Sequence, residues 1–326
     1  MEMENALKAP ARSPAAGKSR NSSGGPSAGR KGGREAMELC FHLLFLLCGV
    51  VAVAFVLFIS IYLIVSGLPA IREIGLVNFL LGKTWAPTAT TVEPSYGILP
   101  FILTSVYGTA GAVLIGVPIG LMTAMFLAKV APPKAARVIK TAVELLAGIP
   151  SVVYGLVGMI VLVPGIQHAF HLSSGATLLA AIIVLAIMIL PSIVNVSDTA
   201  LRAVPKEYEE ASMALGATET ETYLKVSVPA AKSGIAAAIV LGVGRAIGEA
   251  MAIIMVSGNV ANMPGLLKSV RFMTTAIASE MSYAAVGSLQ RNALYSIGLV
   301  LFLFILLINV ILNVIIKGKD GGGNES

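Results

Sequence analysis

Charge is what this sequence has least of. Asp, Glu, Lys and Arg make up 12% of its 326 residues, where a soluble domain carries about 25%. Eleven of those charges lie in the first 38 residues, so the remainder is poorer still. Such a chain cannot solvate its own surface, which excludes a soluble enzyme. Cysteine is nearly absent too. Cys40 and Cys48 share one apolar run, which excludes a disulfide framework and leaves the redox compartment open. There are three histidines. His168 and His171 have a metal-ligand spacing, but no Cys or carboxylate stands near as a third ligand, so solvated loop histidines are expected and no metal site. No catalytic set is visible, and no Gly-rich phosphate loop with its Lys, so the chain does not hydrolyse ATP itself and calls for no cofactor. The net charge of +6 does not point to nucleic acid, because most of the excess lies beside apolar runs.

Apolar length is what the sequence has instead. Hydrophobic residues make up 56% of it. A helix needs about 20 apolar residues to cross the hydrocarbon of a bilayer. Six runs qualify, at 39–66, about 99–128, 142–166, 175–197, 230–256 and 293–316. The alternating short strands of a barrel are missing, so each span is expected to satisfy its backbone as a helix. The expected fold is therefore an all-α polytopic membrane protein with six transmembrane helices over 38–316. With the N-terminus placed inside, the inner segments hold seventeen Lys and Arg and the outer ones five. The positive-inside rule then puts both termini in the cytoplasm. Residues 1–37, rich in Gly, Ser, Ala, Lys and Arg, read as a disordered basic arm, and 317–326 as a short cytoplasmic tail. The first span exceeds the 7–15 residues of a secretory core and reads as a retained anchor.

Pro118, Pro150 and Pro191 are expected to bend the second, third and fourth spans. Gly116/Gly120 and Gly244/Gly248 are small-xxx-small pairs that allow close helix approach. Asn309 and Asn313 suit interhelical hydrogen bonds. Glu144 is expected to pair with Lys140 or to reach the inner membrane edge.

The stretch 204–229 is too long for a simple turn. Pro205 suits a first helical position, and Glu207, Glu209 and Glu210 suit the dipole of a first turn. Ala211 and Leu215 share a face. Gly216 can supply a left-handed cap, and Thr218 with Glu221 can form a capping box for a second short helix. A helix–turn–helix with a face of small residues results, fit for a partner's groove. Its motif, Glu210-Ala211-Ser212, three residues, Gly216, nine residues, Val226-Ser227-Val228-Pro229, resembles the EAA loop of ABC importer permeases. Ser212, Val226 and Val228 are mild departures from that pattern. In that family the loop docks on an ATPase subunit, and the resemblance implies this coupling role for Glu210, Ala211, Ser212, Gly216, Val226, Val228 and Pro229.

The fifth span carries Arg245 and Glu249, four apart and on one face of an expected continuous helix. An ionised group at bilayer depth costs several kcal/mol, about 2.5–3.5 for Arg on insertion scales. Each is therefore expected to face protein or a water path and to pair with the other, either in anion passage or in fixing helix packing. A guanidinium fits tetrahedral oxyanions with paired donors. The strings Gly244-Arg245-Ala246-Ile247-Gly248-Glu249-Ala250-Met251 and Gly148-Ile149-Pro150-Ser151-Val152-Val153-Tyr154-Gly155-Leu156 resemble the PstC-type permeases of phosphate ABC importers. Ala250 stands where that family commonly has Thr. The resemblance covers about 38–316 and implies a type I importer permease fold in the bacterial inner membrane. It also implies phosphate passage past Arg245 and Glu249, with Ser151 and Tyr154 as weaker candidates. The implied partners are a homologous PstA-like permease, a dimer of PstB-like ATPases, a PstS-like extracytoplasmic phosphate-binding protein and membrane lipid. Sulfate or molybdate remains an alternative cargo, an ATPase-independent anion channel or carrier an alternative machine, and a signalling role is not excluded.

Overall fold

The computed structural model describes residues 28–89 and 93–318. Two compact units divide the chain, Met1–Leu57 and Phe58–Ser326. In the first, what is described is the leading part of helix α1 (Ala28–Ile74). Its side chains from Met37 to Leu57, almost all apolar, are exposed, a surface suited to lipid. The arm expected over 1–37 lies largely outside the described residues, as does the tail beyond Gly318.

In the second unit α1 is followed by α2 (Leu76–Leu81) and a small antiparallel pair, β1 (Trp85–Ala86) and β2 (Ser95–Tyr96), with Trp85 opposite Tyr96. Then come α3 (Leu99–Met125), α4 (Pro133–Gly148), α5 (Ser151–Val157), α6 (Val163–Phe170), α7 (Leu178–Arg202), α8 (Lys206–Ala214) and α9 (Glu219–Thr222). The order closes with α10 (Val228–Ala230), α11 (Lys232–Gly248), α12 (Met251–Val256), α13 (Met273–Glu280) and α14 (Leu289–Gly318). Three π-helical turns, Phe126–Val130, Gly158–Leu162 and Tyr223–Ser227, continue α3, α5 and α9.

Five helical stretches are long and apolar enough to cross a membrane: Met37–Ile74, Leu99–Val130, Ser151–Phe170, Leu178–Arg202 and Leu289–Leu312. A sixth span is counted when Glu219–Ala230 and Lys232–Gly248, which are apolar enough together but meet at a 72° bend, are taken as one broken span. Two expected spans need correction. The third begins at Ser151 rather than 142, because Pro150 does not bend a helix there; it separates α4 from α5 in extended backbone. The fifth is not continuous to 256, because α11 stops at Gly248 and Glu249 is extended. Pro118 and Pro191 do lie inside their helices.

α7 is the central element: 61% of its apolar window is buried, against none for the first span. Its packing on α3 explains the glycines of that helix. A Cβ at Gly116 would stand 2.8 Å from Ile189 Cδ1, and one at Gly120 would stand 2.7 Å from Ile193 Cγ2. The Gly116/Gly120 pair is thus a trough for two isoleucines. Ile193 also meets Gly242 of α11, where a Cβ would lie 3.2 Å away. One side chain therefore interlocks α3, α7 and α11. A second apolar cluster gathers Phe79, Trp85, Phe101, Met273, Leu294 and Ile297. Beside it the Glu280 carboxylate accepts from Trp85 Nε1 (3.0 and 3.1 Å), Gln290 Nε2 (3.1 Å) and Arg271. That carboxylate ties the β1–β2 hairpin, α13 and the start of α14 together. Lys140 pairs with Asp198 at 3.5 Å and not with Glu144. The Asn309 side chain makes no hydrogen bond among the described residues, and the side chain of Asn313 lies outside them.

Candidate functional site

Arg245 stands on the exposed side of α11. The buried side of that helix is Ile235, Ala238, Gly242, Val243, Ala246 and Ile247, which leaves Ala237, Leu241, Arg245 and Gly248 along an open stripe. Gly244 and Gly248 differ from the glycines of α3: a Cβ on either would meet nothing within 4 Å. The close approach expected of them is not made inside this chain. Nor is the expected Arg245–Glu249 pair formed. α11 ends at Gly248, so the two residues lose their helical four-residue register. The Glu249 carboxylate turns instead to the next segment, where Oε1 accepts the Ala252 N–H at 3.0 Å at the start of α12. Its backbone carbonyl accepts from Thr274 Oγ1 at 2.7 Å, which fixes the break to α13. Among the described residues Arg245 has neither a hydrogen bond nor an ion pair.

The break is placed by α5. Gly155 lies where α5 crosses α12: a Cβ there would stand 2.9 Å from Ala252 Cα and 3.0 Å from its carbonyl oxygen. This crossing brings the half-buried Ser151 and Tyr154 to the side of the break, and Tyr154 packs on the buried cluster that holds Ala246 and Ala252. The Tyr154 hydroxyl donates to the Leu146 carbonyl at 2.7 Å, a second donor to an oxygen that also accepts the Ile149 N–H at the end of α4 (3.2 Å). Ser151 makes no hydrogen bond through its side chain. Glu249 thus stands at the helix break, with Tyr154 packed on the cluster beside it, Ser151 one turn away on α5 and Arg245 on the exposed side of α11 just before the break.

The segment 204–229 folds as its residues suggest. α8 ends at Leu215, Gly216 takes φ 91°, and Thr218 and Glu221 form the capping box at the head of α9. The Thr218 backbone N–H, then Lys225, hold the Glu221 carboxyl below the usual carboxylate range. No residue of α8 is buried, and Leu215 is 91% exposed. Glu210, Ala211, Gly216 and Pro229 are exposed, while Ser212, Val226 and Val228 are half-buried. The Thr222 hydroxyl donates to Ser212 Oγ at 3.0 Å and joins the two short helices. The elbow thus leaves its outer face uncovered.

Residues 116–319 match the family of binding-protein-dependent transport system inner membrane components. The chain belongs to that family. It is 42% identical over 268 residues to a probable ABC transporter permease, YqgH, of Bacillus subtilis, a match covering 80% of this chain and 86% of that protein. It is 36% identical over 289 residues to the phosphate transport system permease PstC of Haemophilus influenzae, covering 80% and 89%. To PstC of Pasteurella multocida it is 36% identical over 267 residues, covering 75% and 82%. Two solved structures share the fold. A chain of the inward-facing MetNI methionine ABC transporter superposes with a TM-score of 0.54 at 21% identity, covering 68% of this chain and 95% of that one. A chain of a bacterial alginate ABC transporter does so with a TM-score of 0.55 at 15% identity, covering 84% and 92%. The expected type I importer fold is therefore correct. The chain is an ABC transporter permease, a non-enzymatic membrane subunit that works with an ATPase and a substrate-binding partner.

Sequence reasoning passed over several residues of this permease. Asp198 is 2% exposed near the end of α7 and holds Arg202 at 2.8 Å; an acid four residues before a base at the end of an apolar run was the available signal. Lys129 and Glu209 form an ion pair that their positions 80 residues apart do not reveal. Gly155 stood inside a quoted motif, yet its close contact depends on α12, whose existence follows from the helix break.

Proposed function

We propose that this permease is one transmembrane subunit of an ATP-driven importer of inorganic phosphate that works by alternating access. The observation that carries the reading is Arg245: a guanidinium in a membrane helix, exposed on a glycine-flanked stripe and without a counter-ion among the described residues. Its planar donors suit a tetrahedral oxyanion, and half-helices that meet at a break are a recurring setting for ligand passage in transporters. Relatives named as phosphate permeases support phosphate over sulfate or molybdate. Glu249, Ser151 and Tyr154 shape the same passage. The Gly244/Gly248 stripe takes a PstA-like permease. The elbow formed by α8 and α9, through Glu210, Ala211, Ser212, Gly216 and the Val226-Ser227-Val228-Pro229 segment, docks on a PstB-like ATPase dimer, and a PstS-like protein delivers phosphate from outside. The bias of Lys and Arg places both termini in the cytoplasm. ATP-driven closure then displaces the elbow, and the helices rock to open Arg245 to one side and then the other.

The test is the complex co-purified through this chain and reconstituted in vesicles with its binding protein. ATP-dependent uptake of labelled phosphate, undiminished by excess sulfate or molybdate, is expected. Uptake blocked by sulfate would reassign the cargo, and uptake that persists without the ATPase would overturn the importer reading.

A further inference from the structure

We infer that Lys129 and Glu209 form a strut that carries the movement of the elbow into the α3–α7–α11 body, and so act as positioning residues for transport. The inference rests on the proposed docking of the elbow on an ATPase. Because α8 buries no residue, apolar packing cannot hold it against the membrane helices, and polar ties do so instead. Lys129 pairs with Glu209 although both side chains are mostly shielded, at 10% and 14% exposure. The same carboxylate oxygen accepts from Ser227 Oγ at 2.8 Å. Lys129 belongs to the π-turn that ends α3, and Ser227 to the π-turn that precedes α10. Glu209 thus bridges two π-turns from a third element. Carbonyls at the end of α3 are also engaged: Leu127 accepts from Arg202 at 2.7 Å, and Lys129 from the Tyr223 hydroxyl at 3.4 Å.

The covalent path is a poor substitute for this strut. From the elbow the chain reaches α11 through Ala231, where the axis turns by 72°. A push along one arm of such a bend tends to change the angle rather than shift the other arm. A tie from α8 to the end of α3 closes a triangle around the bend. Beyond α3 the path is stiff, since Ile193 is seated between Gly120 and Gly242. A displacement of Glu209 then moves α3, α7 and α11, with Arg245, as one body. A partly shielded ion pair suits this role better than stability, because an apolar pair of similar size would often hold as well.

The test uses the assembled complex in vesicles and reads phosphate carried per ATP hydrolysed. Lys129→Met and Glu209→Gln are each expected to retain the ATPase subunit and its hydrolysis while the ratio falls about tenfold, the scale of a lost contact between coupled residues. Lys129→Arg is expected to recover most of the ratio. A second readout is independent of the cargo: spin labels at Lys206 and at Leu114 of α3, both exposed, with Cys40 and Cys48 replaced by Ser. Their separation is expected to stay fixed on ATP binding in the otherwise unaltered chain and to change in Lys129→Met. An unchanged ratio and fixed separation in Lys129→Met would overturn the strut, as would loss of the ATPase subunit from both variants. Absence of ATP-driven phosphate uptake in the unaltered complex would sink the phosphate reading alone, and the label separation would still decide the strut.

Discussion

Gly155→Ala is the smallest change that tests how the helix break is held. The added methyl would stand 2.9 Å from Ala252 Cα and from Met255 Sδ, and 3.0 Å from the Ala252 carbonyl oxygen. Ordinary carbon contacts lie near 3.5–4.0 Å, so α5 and α12 must separate by about 0.5–1 Å. The Met255 thioether can swing aside, whereas the Ala252 backbone cannot. Overpacking of this kind costs about 1–3 kcal/mol, offset by about 0.5–1 kcal/mol from removing a glycine from a helix. A net loss of about 1–2 kcal/mol follows from those two figures. Gly165→Ala in α6 is the internal control. A Cβ there meets nothing within 4 Å, so that variant should gain about 0.4–1 kcal/mol. Thermal unfolding of the purified complex should place Gly155→Ala below the unaltered chain and Gly165→Ala at or above it. Phosphate uptake should fall in Gly155→Ala by more than the loss of folded protein, because Ala252 carries the N–H that holds the Glu249 carboxylate. If Gly155→Ala melts with the unaltered chain and transports normally, the crossing does not set the break.

Three further outcomes are expected. Arg245→Gln should leave the complex assembled, since the side chain has no partner to lose among the described residues, and should abolish phosphate uptake; near-normal uptake would remove Arg245 from the path. Gly216→Val forces a β-branched residue into φ 91°, at a cost of roughly 1–2 kcal/mol, and should uncouple ATP hydrolysis from transport, an effect absent if the elbow is not the docking element. Glu221 has its pKa lowered by the Thr218 backbone N–H and then by Lys225, so its capping contribution is present above the ordinary carboxylate pKa and disappears as pH falls through the lowered value. Amide exchange at Glu221 should therefore quicken, relative to exposed control amides, on acidification through that range, and Glu221→Gln should flatten the change; identical profiles in both would show that the box does not depend on the carboxylate.

What the sequence could reveal here was whatever depends on neighbours along the chain. The elbow is the clearest case, because a first-turn proline, a left-handed glycine and a four-residue capping box are local devices, and each took its expected form. The six apolar runs were equally local, and all of them are helical. Two of their boundaries were not legible for a definite reason. Apolar periodicity continues through Ile149–Pro150 and through Glu249–Ala250, while the breaks depend on partners elsewhere: Tyr154 on the Leu146 carbonyl, Thr274 on the Glu249 carbonyl, and Ala252 pressed on Gly155. The two small-residue pairs show the same limit. Gly116/Gly120 and Gly244/Gly248 carry the same pattern, yet one pair receives isoleucines of α7 and the other faces open space.

The break also changes what the charges of the fifth span can do. In a continuous helix Arg245 and Glu249 would sit one turn apart, and an anion passing Arg245 would have to displace a carboxylate fixed beside it. A displaced carboxylate at bilayer depth would carry its own desolvation cost, several kcal/mol after relaxation. With the helix ended at Gly248, the Ala252 N–H takes that carboxylate and the guanidinium is left without a competitor among the described residues. Its charge is tolerable only where the open stripe meets water or a partner's polar groups. On the proposed reading, binding an oxyanion would add an interaction instead of exchanging one for another. On the proposed phosphate path, retention and release would then follow from how far the stripe is opened by movement of α11. Glu249→Gln should accordingly leave much of the uptake intact, because an amide oxygen can still accept the Ala252 N–H, whereas Glu249→Ala, which removes the cap, should reduce it strongly. Equal loss of uptake in the two variants would mean that the negative charge itself, and not the capped break, is what transport requires.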